Sequence, residues 1–182
     1  ASEHGLRIQA ASYMFPPVRA CEHGRFQADR MTPEESAAMQ LRYDELRFSP
    51  ENLRRRFEEL LAGSRVPDPD RECQELPAER IRCRAGSSTF WVTWDGRMRP
   101  CGMMTEPKFS VPELGFDRAW EETRAATDAI RLPAECTGCK YKHACHACAA
   151  MCVSETGCFN DRPDYVCRMT QETVRLTLEA VK

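Results

Sequence analysis

Residues 136–152 read CTGCKYKHACHACAAMC and set four thiols in the order Cys136-x2-Cys139-x5-Cys145-x2-Cys148. Packing alone does not generate two such cysteine pairs. The two-residue spacing lets both sulfurs of a pair reach one metal, because the intervening turn aims its backbone amides inward to hydrogen-bond the thiolates. Moving outward, Cys152, Cys158 and Cys167 follow, so that seven of the eleven cysteines lie after residue 135. Cys73, Cys83 and Cys101 precede the run, and Cys21 stands apart, a small packing residue rather than a ligand.

Three chemistries use cysteine this densely: a disulfide framework, structural zinc and iron-sulfur clusters, and the redox compartment separates the first from the others. The opening ASEHGLRIQA has no basic region followed by an apolar run, and no stretch of about 18 apolar residues could span a membrane. The expected setting is therefore the reducing cytoplasm, which disfavours disulfides. With 26 basic and 28 acidic residues the net charge is -2, so charge offers no argument for nucleic acid or an anionic membrane as partner. A mean hydropathy of -0.58 and 8% aromatic residues imply a modest core. A small cysteine-rich domain compensates for that by cross-linking through metal.

Local signals divide the chain. LRIQAASYMF at 6–15 alternates loosely and ends at Pro16-Pro17, which reads as a strand. Thr32-Pro33-Glu34-Glu35 is a capping box that predicts a helix over 33–47, and Ser49-Pro50-Glu51 opens a second helix, with Leu53, Phe57, Leu60 and Leu61 on one face, stopping at Gly63. The polar, proline-rich residues 64–80 read as a linker. Beyond it, Thr89 to Trp94, the turn Asp95-Gly96 and Arg97 to Cys101 form a β-hairpin; a two-residue turn pairs Trp94 with Arg97 and sets Cys101 opposite Phe90. Gly86 permits the loop after Cys83 to double back. Residues 117–131 predict a helix capped by Asp117, and a last helix runs from about 163 or 164 almost to Lys182, with Tyr165, Met169, Val174, Leu176, Leu178 and Val181 as packing residues.

A single closed zinc site would use Cys136, Cys139, Cys145 and Cys148 and leave Cys83, Cys101 and Cys167 without a role. Eight ligands shared between two 4Fe-4S clusters, each taking four thiolates, fit the spacings better. The order Cys83-x12-Gly96-x4-Cys101, then the 136–148 run, then Cys167, closely resembles the SPASM domain of radical SAM enzymes. That family's pattern is Cys, nine to fifteen residues, Gly, four residues, Cys, a gap, Cys-x2-Cys-x5-Cys-x3-Cys, a gap and a last Cys. The fourth cysteine of the run would fall at Ala149; Cys148 is one residue short of it and Cys152 three residues beyond. Cys148 is the expected ligand.

The resemblance implies two auxiliary clusters with interleaved ligands: Cys83, Cys101 and Cys148 for the first, completed by Cys73 or left with three protein ligands, and Cys136, Cys139, Cys145 and Cys167 for the second. Cys152 and Cys158 are spare in this scheme. The implied fold is α+β, a small cysteine-rich domain with a β-hairpin and several helices over 81–182. It follows a helical bridge with linker at 31–80 and, at 1–30, the closing strand of a partial barrel. A radical SAM core also needs Cys-x3-Cys-x2-Cys for the cluster that cleaves S-adenosylmethionine, and no three cysteines here have that spacing.

The expectation is thus a C-terminal part of a peptide- or protein-modifying enzyme, inactive alone. It would be served by an N-terminal radical SAM core carrying S-adenosylmethionine, a reductant such as ferredoxin or flavodoxin, and a peptide substrate. Sulfatase-maturing relatives are similar in carrying Asp after the second cysteine of the pattern, where this chain has Gly102, so peptide maturation is the closer comparison. The other class kept open is a metal-stabilised module, zinc or iron-sulfur, with no catalysis of its own. Several further residues have bland readings: His143, His146, Lys140 and Lys142 as loop residues, Arg54 to Arg56 as a solvated helix face, and Trp91 and Trp94, three apart on one strand, facing opposite sides. Tyr13 and Arg19 are placed by position alone toward the barrel's active site.

Overall fold

In a computed structural model, residues 2–6, 9, 11–15, 30–63 and 78–180 are described. Cys21, Cys73, Arg19 and most of the linker lie outside them, as do the side chains of Leu60 and Leu61 and the whole of Val181.

Helix α1 (Pro33–Arg47) starts where the capping box placed it: Thr32 Oγ1 accepts from the Glu35 amide at 3.1 Å while Glu35 Oε2 accepts from the Thr32 amide at 2.7 Å. Helix α2 (Pro50–Gly63) follows and buries Phe57. Both pack on the long last helix α7 (Asp164–Ala180), α1 more extensively than α2. Ser36, fully buried on α1, shares a 2.7 Å hydrogen bond with the Tyr165 hydroxyl, which also donates to the Met31 carbonyl at 2.8 Å. Of the expected packing residues of α7, Val174 is buried and Leu178 packs beside it, whereas Met169 and Leu176 are only half-buried and the buried stripe is Val166, Thr170, Val174 and Thr177. Two threonines fit inside because each hydroxyl donates to the carbonyl four residues back, at 2.8 Å, which satisfies the polar atom within its own helix.

The sheet has three short antiparallel strands, β1 (Trp91–Val92), β2 (Arg97–Arg99) and β3 (Phe109–Ser110), in the order β1-β2-β3. Trp91 pairs with Arg99 and Val92 with Met98, one residue off the expected register. The two-residue type I′ turn needs positive φ at both of its central residues, and here only Gly96 has it, at +73°. The loop is therefore Trp94-Asp95-Gly96, closed by Gly96 N to Thr93 O and Thr93 N to Arg97 O, both 2.9 Å. Trp94 sits in the turn and is 91% exposed, so it belongs to neither strand face.

Helix α3 (Val111–Leu114) ends at Gly115, from which α4 (Phe116–Ala129) begins. Asp117 is therefore not the cap; it lies in the first turn, where a carboxylate suits the helix dipole. Helix α4 covers β2 and β3 and buries Met98 completely. Two short helices follow, α5 (Ala134–Thr137) and α6 (Ala149–Thr156).

None of the described residues in 6–15 belongs to a strand. Phe15 instead packs against the core of Met104, Ile130, Leu132, Ala149 and Ala150. Tyr13 donates to Glu155 at 2.5 Å, and Glu155 forms a buried two-pronged pair with Arg30 at 2.6 and 3.0 Å. Arg30 stacks over the Tyr165 ring. Burial and then the Glu155 carboxylate push the Tyr13 phenol well above its ordinary range, so Tyr13 is held as a neutral donor inside the fold.

Candidate metal centre

The 136–148 loop is fastened to its surroundings through Ala144 and Lys142. Ala144 is buried against Val174 of α7, with Tyr141 and Leu178 beside them. Lys142 reaches the Glu79 carboxylate and donates to the Thr137 carbonyl at 3.0 Å. The segment carrying Glu79 is itself bound, through Leu132 N to Glu79 O at 2.7 Å and the Arg80 bridge to Arg131.

Between this loop and helices α5, α6 and α7 lies a cavity of about 60 Å³ lined by Cys136, Cys139, Cys145, Cys152 and Cys167, with Leu132, Pro133, Tyr141 and Thr170 among its walls. Cys136 stands on α5, Cys152 on α6 and Cys167 on α7, whereas Cys139 and Cys145 come from the loop. Ala147 N donates to Cys145 Sγ at 3.4 Å, the inward amide expected of such a turn. Burial first, then the neighbouring thiols, pushes Cys136 up to about 11 and Cys152 and Cys167 up to about 12. Each of these thiols lies within electrostatic reach of at least two others in the group.

A second group of thiols forms around the sheet. Cys101 follows β2, accepts from Met103 N at 3.4 Å, and packs with Cys148 against the Met104 and Ala149 core. Burial raises the Cys148 thiol, Cys101 and Cys83 add to that shift, and the amides of Met151 and Ala150 oppose it. Those amides belong to the first turn of α6, for which Cys148 is the N-cap residue; its sulfur makes no full capping hydrogen bond. The start of α6 thus offers partial positive charge to a thiolate at Cys148. Cys83 is exposed at the rim.

The structure thus gathers Cys136, Cys139, Cys145 and Cys167 around one cavity and brings Cys148 toward Cys101 and Cys83. Cys73 lies outside the described residues. Cys152, read from spacing as spare, is 1% exposed and lines the first-described cavity. Spacing gave no signal for this, since the i,i+4 relation to Cys148 would have grouped Cys152 with Cys148 and Cys101 instead. Cys158, His143 and His146 are exposed and do not line that cavity. Among the described residues no three side chains of His, Cys, Asp or Glu are close enough to hold one metal ion. The nine described cysteines are all thiols, and soft, crowded thiol donors in a mostly apolar cavity suit an iron-sulfur cluster.

Trp91 lies over Gly102, beside Cys101: a Cβ at Gly102 would come within 3.3 Å of the indole. Even an alanine here would require the half-exposed ring to give by a few tenths of an ångström. No helix among the described residues is long and apolar enough to cross a membrane.

No protein-family model matches the chain, and no solved structure matches it. Over 86 residues, 46% of its length, the chain is 28% identical to the AdoMet-dependent heme synthase of Methanosarcina barkeri, of which it covers 25%. The chain therefore spans about a quarter of that relative, and the similarity supports a link to radical SAM enzymes.

Proposed function

We propose that this chain is the auxiliary-cluster part of a radical SAM enzyme, holding two 4Fe-4S clusters that pass electrons or bind a peptide substrate. The observation that supports the reading is a cavity lined by five thiols from segments distant in the chain, Cys136, Cys139, Cys145, Cys152 and Cys167, with Cys101 and Cys148 packed together on the core outside it. Zinc is the weaker choice. One closed zinc site takes four thiolates and would leave most of the remaining cysteines without a role. A four-iron cluster is bound through separate corner irons, so its thiols line a cavity instead of meeting at a point.

When bound, such clusters supply one-electron transfer, and an iron without a protein ligand can take a substrate donor. The protein's own part is positional. The α6 amides favour the thiolate at Cys148, the Lys142 to Glu79 contact holds the loop, and Trp91 covers the backbone beside Cys101. Cys73 either completes the first group or leaves it with three protein ligands. The radical step itself belongs to an N-terminal core with S-adenosylmethionine, reduced by a ferredoxin or flavodoxin. A second reading is favoured by the heme synthase similarity: the substrate is a heme precursor instead of a peptide.

Anaerobic reconstitution tests the proposal. The chain should take up about eight iron and eight sulfide, and produce no 5'-deoxyadenosine from S-adenosylmethionine. Uptake of one zinc and no iron would overturn it. A cluster spectrum perturbed by a cysteine-containing peptide but not by a porphyrin favours the peptide reading, and the reverse favours the heme precursor.

A further inference from the structure

The cavity beside α7 contains one thiol more than a single four-iron cluster uses. Four thiolates complete such a cluster, and five cysteines line the space: Cys136, Cys139, Cys145, Cys152 and Cys167. A buried cysteine is commonly a small apolar residue, and Cys152 has Ala149 and Ala150 beside it on a buried helix face. Its position argues for more than packing. It faces a cavity walled by four other thiols, and it sits one turn after Cys148 on α6, joined to it by the Cys152 N to Cys148 O hydrogen bond of 3.0 Å.

We propose that Cys152 is a reserve ligand of the α7 cavity, able to complete the second cluster when one of the two loop thiols, Cys139 or Cys145, is lost. The proposal rests on the two-cluster reading above. The geometry singles out those two because the other three cysteines stand on helices, Cys136 on α5, Cys152 on α6 and Cys167 on α7, and together make the rigid side of the cavity. Side chains on helices hold a site more precisely than side chains on loops. Three fixed thiols and either loop thiol make a set of four.

The test uses the full chain, reconstituted anaerobically, with iron and sulfide counts and electron paramagnetic resonance of the reduced clusters. Cys139→Ala and Cys145→Ala should each retain about eight iron, and each combined with Cys152→Ala should fall to about four. Cys152→Ala alone should retain about eight. Cys158→Ala serves as the control for losing an exposed thiol. Single loop variants that drop to about four iron with Cys152 present would overturn the proposal, as would double variants that keep about eight. If one loop variant fails to fold, shown by circular dichroism, the other carries the same comparison. A wild-type chain that takes up no iron sinks the two-cluster reading itself, and the reserve role with it.

Discussion

Gly86 shows how a single hydrogen atom sets the path of the chain toward Cys83. Its φ of +66° lies in the left-handed region, and a Cβ there would stand 2.2 Å from Thr127 Oγ1 of α4. Thr127 has no room to yield, since it is buried and its hydroxyl donates to the Thr123 carbonyl at 2.6 Å. Gly86→Ala therefore combines backbone strain with overlap and should cost about 3 kcal/mol, read as a lower denaturation midpoint. Gly96 is similarly constrained: its positive φ closes the hairpin, and a Cβ would meet Pro112 at 2.8 Å. This gives a physical reason for glycine at that place in the cysteine pattern.

Among the elements, α1 is the one whose local signals are complete. Its capping box satisfies two backbone donors reciprocally, and Glu34 in its first turn pairs with Arg168 of α7. Thr32→Ala should destabilise the chain by about 1 kcal/mol, measured by thermal or chemical unfolding. Thr32→Asn should restore most of that loss, because Asn caps as well. Helix α6 illustrates the opposite case. Its eight residues carry a modest signal of their own, and its place is set by what it contacts: Cys148 at its start, Cys152 one turn on, and Glu155 in the buried pair with Arg30.

At the scale of the whole molecule, the buried thiols couple stability to pH. In the metal-free, reduced chain Cys136 is pushed up to about 11 and Cys152 and Cys167 to about 12, chiefly by burial. An unfolded thiol titrates near about 8.5, so between that pH and about 12 the folded chain keeps protons that the unfolded chain has lost. Stability is then present below the lower value and lost as pH rises through the window. Unfolding of the metal-free chain should show a lower midpoint at about pH 10 than at about pH 8, with a smaller difference in Cys152→Ala. Metal loading should run the other way, because ligation needs thiolates and releases protons.

The sequence by itself determined the features whose cause is local. The capping box set the start of α1, Pro50 and Gly63 bounded α2, and the cysteine spacing singled out Cys136, Cys139 and Cys145, which the fold brings around one cavity. Tertiary structure decided the rest. The hairpin register depended on which turn residue took positive φ, and the described residues before Pro16 are held by Phe15 packing on the core and Tyr13 bonding Glu155. The inner stripe of α7 admits threonine because helix carbonyls accept its hydroxyls, a compensation that hydrophobic periodicity does not register. Cys152 is the clearest case. Spacing along the chain cannot say which cavity a cysteine enters, since that depends on how α6 is rolled against the core and where α5 and α7 bring their own thiols.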